Sequence, residues 1–82
     1  MVTVDYSDSF KREVAKKKDA SVRERIEKLL RKIKDDPEVG KPMKYDRKGT
    51  REVYSGSFRL SYLYDKNKDL IYFVAFYHKD EQ

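Results

Sequence analysis

The chain has no cysteine and a single histidine, His78. The first absence excludes disulfide scaffolds, thiolate nucleophiles and zinc–thiolate centres; the second excludes a metal site built from several imidazoles. No apolar run approaches the roughly 18 residues of a membrane-spanning helix. A secretory leader is not expected either, because Asp5, Asp8, Lys11, Arg12 and Glu13 interrupt residues 1–15. Glycine and proline are scarce, at three and two residues, and there is no internal repeat or low-complexity tract. Charge is abundant: 43% of the 82 residues are Asp, Glu, Lys or Arg, with a formal net charge of +5. Such a chain borders on disorder, but 13% aromatic residues, clustered in the C-terminal half, argue for a folded core. The length fits one domain, residues 1–82, with a thin core burying roughly 60–65% of the unfolded surface.

The order of elements follows from apolar spacing. Val2, Val4 and Tyr6 alternate with polar residues, as in a strand. Ser7 offers a helix cap, and Phe10 and Val14 lie four apart on one side of a helix over residues 8–18. Ser21 and Glu24 read as a capping box for a second helix. Its apolar face is Val22, Ile26, Leu29, Leu30 and Ile33, and Asp36-Pro37 stops it. Residues 37–50 read as a long connection containing Pro37, Gly40, Pro42 and Gly49. Three strands are then expected at Arg51–Ser55, Phe58–Tyr64 and Leu70–Tyr77. Leu70–Phe76 is apolar at every position and reads as a central strand buried on both faces. The expected architecture is α+β, β-α-α-β-β-β, with a helical hairpin on one face of a small, antiparallel-rich sheet.

The positive charge is uneven. Residues 41–59 carry Lys41, Lys44, Arg47, Lys48, Arg51 and Arg59 against Asp46 and Glu52, with Tyr45, Tyr54 and Phe58 interleaved. Basic and aromatic side chains together neutralise phosphates and stack on unpaired bases. A two-residue turn in the first hairpin makes cross-strand partners sum to an odd number. Arg59 then shares a face with Glu52 and Tyr54, while Phe58, Leu60 and Tyr62 share the other with Val53 and Arg51 and pack under the helices. The shifted register would put Glu52 in the core, which is costly.

These residues carry a resemblance. Val4-Asp5-Tyr6-Ser7-Asp8-Ser9-Phe10, Gly40-Lys41-Pro42-Met43-Lys44, Ser57-Phe58-Arg59-Leu60-Ser61-Tyr62 and Tyr77-His78-Lys79 occur in the order and spacing of the RelE/ParE toxin superfamily. The chain most resembles the RelE-like toxins common in archaea. The resemblance implies a cytoplasmic toxin of a type II toxin–antitoxin system: an mRNA interferase, metal-independent and without a cofactor, that cuts mRNA in the ribosomal A site. The ribose 2′-hydroxyl would attack the adjacent phosphate, which needs a proton acceptor, positive charge around the phosphorane and a proton donor. Arg59 matches the family arginine that stabilises phosphate charge, and His78 the histidine that some relatives use as general acid. Glu52 stands where relatives carry a basic residue; it either serves as general base or orients Arg59. Thr50 and Glu52 replace the paired lysines of the best-known enzymes, and no C-terminal helix or terminal tyrosine is expected. Lys44, Arg47, Lys48, Arg51, Tyr54 and Lys79 are expected RNA contacts, whereas Tyr77 reads as packing. The implied partners are a RelB-like antitoxin and the ribosome with its A-site mRNA, with no membrane, and with promoter DNA only through the antitoxin complex. The superfamily also implies two alternatives: a non-catalytic, ParE-like gyrase poison, and an inactive RNA-binding relative.

Overall fold

The computed structural model describes residues 2–44 and 49–81. Strand β1 (Thr3–Tyr6) leads into helix α1 (Asp8–Lys16) and helix α2 (Ala20–Asp35). Four strands follow: β2 (Lys41–Pro42), β3 (Thr50–Ser55), β4 (Phe58–Asp65) and β5 (Leu70–His78), then a 3₁₀ turn, Lys79–Glu81. They form one five-stranded sheet in the order β1-β5-β4-β3-β2. β1 runs parallel to β5, and every other pairing is antiparallel. Among the described residues, no helix is long and apolar enough to cross a membrane.

Both helices begin at side-chain caps. Ser7 accepts the Phe10 N–H at 2.9 Å, and its hydroxyl donates to the Val74 carbonyl at 2.6 Å, so one residue starts α1 and ties it to β5. The cap of α2 is Asp19, two positions before the expected Ser21. Its carboxylate accepts the Ser21 N–H at 2.8 Å, which places Ser21 already inside the helix. Hydrogen bonding from Ser21, side chain first and backbone second, holds the Asp19 carboxyl below the usual carboxylate range.

The helices cover one face of the sheet, with α1 over β5 and α2 over β3. Phe10, Ile26, Leu29 and Ile33 meet Val53, Leu60, Tyr62, Ile71, Phe73 and Phe76 in the core. The Phe73 ring is the hub, stacked at 5.4 Å on Tyr6 and 5.5 Å on Phe10. β5 is interior in the sheet, but only Ile71, Phe73 and Phe76 of its apolar run are buried. The expectation of burial on both faces fails because, among the described residues, no second layer covers the other side.

The connection after α2 is not all loop. Lys41 and Pro42 form an edge strand against Glu52 and Arg51, a piece too short, and too rich in proline, to show as a periodic run. Its approach is locked by Tyr62, whose buried hydroxyl accepts the Gly40 N–H at 2.9 Å and donates to the Pro37 carbonyl at 2.8 Å. Burial pushes that hydroxyl above the usual phenol range. Gly40 must be glycine here: a Cβ would fall 2.7 Å from Tyr62 Oη and 2.9 Å from Arg51 Cβ. Tyr62→Phe keeps the ring but strands the Gly40 donor and the Pro37 acceptor. It is expected to lower unfolding free energy by about 1–3 kcal/mol in urea titration and to speed amide exchange at Gly40.

Candidate functional site

The β3–β4 hairpin turns on Gly56-Ser57. Gly56 sits at φ +59, a left-handed angle that suits glycine at the first position of a two-residue turn. Ser55 therefore pairs with Phe58, Val53 with Leu60, and Tyr54 with Arg59. Directly opposed residues share a face, so Val53, Phe58 and Leu60 face the helices, and Glu52, Tyr54 and Arg59 face away from them.

A bulge then decides what β5 contributes. Ser61 pairs with Ala75 but Tyr62 with Phe73, leaving Val74 as the extra residue. The insertion reverses the alternation beyond it. Arg59 is paired with Tyr77, and Phe58 with His78. Two rows result on the open face: Lys41, Glu52, Ser61 and Ala75 in one, and Tyr54, Arg59 and Tyr77 in the next.

Arg59 is presented rather than buried. Its Nη1 donates to the carbonyls of Gly56 at 3.1 Å and Phe58 at 3.2 Å. The guanidinium lies over the Tyr54 ring, 4.3 Å from its centroid. It makes no ion pair with Glu52, and its Nε and Nη2 make no hydrogen bond among the described residues. That unused N–H edge has the fork geometry that grips a phosphate in two places. Tyr54, 47% exposed, offers a flat ring beside it.

Glu52 is the unusual member. It is only 4% exposed on a face that no helix covers. A buried carboxylate needs a donor, and Tyr77 supplies one: its hydroxyl lies 2.6 Å from Glu52 Oε2. To reach it the Tyr77 side chain spans β4, where Ser61, between Glu52 and Ala75 in the row, has only a small side chain. Nothing in the alternating pattern marked Glu52 as buried or Tyr77 as its partner. Lys41 was also passed over. It is exposed and stands directly across from Glu52, because β2 exists.

A sequence model described as "ParE toxin of type II toxin-antitoxin system, parDE" matches residues 4–82. The chain belongs to this ParE toxin family. It is a type II toxin–antitoxin toxin with the RelE/ParE fold. Solved structures share that fold. The toxin–antitoxin complex RelBE2 from Mycobacterium tuberculosis has a chain 23% identical, with a TM-score of 0.81 over 94% of this chain and 96% of that one. The isolated E. coli RelE toxin is 16% identical, with a TM-score of 0.79 over 95% and 84% of the two chains. The intact E. coli RelBE toxin–antitoxin complex gives 18%, 0.77, 93% and 94% in the same terms. No curated protein sequence matches closely enough to count as a relative.

The remaining expected contacts of this ParE-family toxin are dispersed. His78 lies on the helix-bearing side of the sheet with Phe58, whose ring it meets edge-on at 5.4 Å. Its Nδ1 is 3.2 Å from the Asp80 N–H. It is thus on the opposite face from Arg59 and Glu52. Arg51 is on that helix side too, its Nη1 donating to the carbonyls of Glu38 and Gly40 at 2.9 Å each. These bonds anchor the approach to β2 and direct the guanidinium away from the open face. Lys79 is exposed at the hairpin end, where its N–H donates to the Ser57 carbonyl at 2.8 Å. Lys44 is exposed beyond the other end of β3, just after Met43, whose N–H pairs with the Thr50 carbonyl. Arg47 and Lys48, with Tyr45, lie outside the described residues.

Behind the sheet, α1 and α2 enclose a groove of about 440 Å³ lined by Tyr6, Phe10, Val14, Ile26 and Leu30, with Lys11 and Arg23 also lining it. It opens away from Arg59 and is apolar, so it is a surface for packing rather than for phosphate chemistry.

Proposed function

We propose that this toxin is a ribosome-dependent mRNA endoribonuclease and that the open face of the sheet receives the RNA. The observation that carries the reading is Arg59: a cation held by two carbonyls and an aromatic ring, with a hydrogen-bonding edge left over for an anion. There it neutralises the charge that develops on a phosphate attacked by the neighbouring 2′-hydroxyl. Tyr54 stacks a base, and Lys79 and Lys44 bind the strand on either side, with Arg47 and Lys48 extending the contact. The ribosome supplies the in-line alignment, so a thin domain suffices. Action on ribosomes makes the protein cytoplasmic.

The partner is an antitoxin of RelB type. Its chemistry follows from the groove between α1 and α2: an apolar floor with Lys11 and Arg23 beside it fits an amphipathic segment carrying acidic residues. The deciding experiment maps cuts by primer extension on ribosomes stalled on a defined mRNA, with naked mRNA alongside. Cuts confined to the A-site codon of ribosome-bound mRNA support the reading; folded toxin that makes none overturns it. His78→Ala is expected to slow cleavage less than tenfold, whereas loss of a true general acid costs about 10²–10⁴-fold. A drop in that higher range would return His78 to the reaction.

One observation favours a second reading. The matching sequence model is that of ParE toxins, and a ParE-like poison of gyrase would use the fold without cutting RNA. DNA damage in expressing cells, with mRNA intact, would select it.

A further inference from the structure

The buried carboxylate and the tyrosine that reaches it have no part in binding a phosphate, yet they adjoin the residue that does. The geometry points to Tyr77 as a catalytic residue that relays the 2′-hydroxyl proton to Glu52. This inference rests on the nuclease reading and assigns the proton acceptor within it.

Three features converge. Tyr77 Oη donates to Glu52 Oε2 at 2.6 Å, the short contact of a hydrogen bond to a charged acceptor. Glu52 is 4% exposed while Tyr77 is partly exposed, so the phenol is the more accessible member of the pair. Tyr77 is the direct cross-strand neighbour of Arg59 on the same face, so the two side chains leave the sheet from one row. Among the described residues, the charged and titratable neighbours on that face include Lys41 from β2, Tyr54 from β3 and Arg59 from β4.

The step balances as follows. The 2′-hydroxyl passes its proton to Tyr77 Oη as Tyr77 passes its own to Glu52 Oε2, and Tyr77 stays neutral throughout. The 2′-oxygen forms a bond to phosphorus, and the bond from phosphorus to the 5′-oxygen breaks. Water protonates the departing 5′-oxygen, and the resulting hydroxide is neutralised as Glu52 returns its proton to solvent. The products are a 2′,3′-cyclic phosphate and a 5′-hydroxyl.

The test uses the full chain on ribosome-bound mRNA and compares wild type, Tyr77→Phe, Glu52→Gln, the double variant and Arg59→Ala. Tyr77→Phe and Glu52→Gln are each expected to lower kcat by about 10²–10⁴-fold with ribosome affinity unchanged. The double variant should be no slower than the worse single one, because the two groups act as a unit. Fluorotyrosine at position 77, which keeps the hydroxyl and its packing, should shift the rate in graded fashion with phenol acidity; this variant also decides the matter if Tyr77→Phe fails to fold. Cleavage by wild type but not by Arg59→Ala, together with full-rate cleavage by Tyr77→Phe, overturns the relay and leaves the nuclease reading standing. Additive losses in the double variant, or a rate indifferent to fluorination, overturn it too. Absence of cleavage by the wild type overturns both.

Discussion

Arg59→Ala is expected to cut A-site cleavage by at least about 10²–10³-fold, the cost of removing one donor aimed at a developing oxyanion, and to leave the protein folded. The guanidinium is on the open face, bonded to two carbonyls, and its stacking on Tyr54 is worth about 0.5–1 kcal/mol. Circular dichroism and a thermal melt should therefore match wild type to within a few degrees. Arg59→Lys should recover part of the rate, because it restores charge without the two-pronged edge. Cleavage by a folded Arg59→Ala protein at the wild-type rate would remove the arginine from the reaction.

Phe73→Ala should have the largest effect on stability. Its ring is fully buried and touches the rings of Tyr6, Phe10 and Tyr62, so it joins β1, α1, β4 and β5. Truncating a buried phenylalanine costs about 3–5 kcal/mol. At roughly 0.05–0.15 kcal/mol per residue, a domain this small has only about 4–12 kcal/mol to lose. Calorimetry should show the melting temperature falling by between about 12 and 40 °C. Phe73→Leu, which keeps most of the volume, should cost less than about 1.5 kcal/mol. A loss below 1 kcal/mol for Phe73→Ala would mean that the ring cluster is not the centre of the core.

Much of this architecture was legible in the sequence, because apolar spacing survives whatever the partners are. Ile26, Leu29 and Ile33 mark the buried side of α2 by their interval alone. The face carrying Arg59 follows from parity once the turn has two residues, since the opposite register would bury Glu52 beside Leu60. The rest depended on features without periodicity. A two-residue edge strand containing a proline leaves no alternating signal, so Lys41 was not placed beside Glu52. The inserted Val74 reverses the count along β5 and exchanges Tyr77 for His78 on the open face. No apolar run announces a bulge of one residue. The burial of Glu52 was hidden for another reason: a carboxylate on an uncovered sheet face is expected to be solvated, and its donor lies two strands away.

The parallel pairing of β1 with β5 has a consequence in time. The Ser7 hydroxyl and the Val74 carbonyl that it caps are 67 residues apart, so the earliest strand must wait for the latest. Closing a loop of that size costs about 3.7 kcal/mol in chain entropy beyond a constant before β1, α1 and β5 reward it. Pairings of such separation place folding toward the slow end, in milliseconds to seconds. At about 5–20 residues per second, translation takes roughly 3–13 s to pass from Ser7 to Val74. Throughout that interval Tyr77 has not yet joined Arg59, and Val4 and Tyr6 have no strand to lie against. Assembly of the open face is therefore coupled to completion of β5.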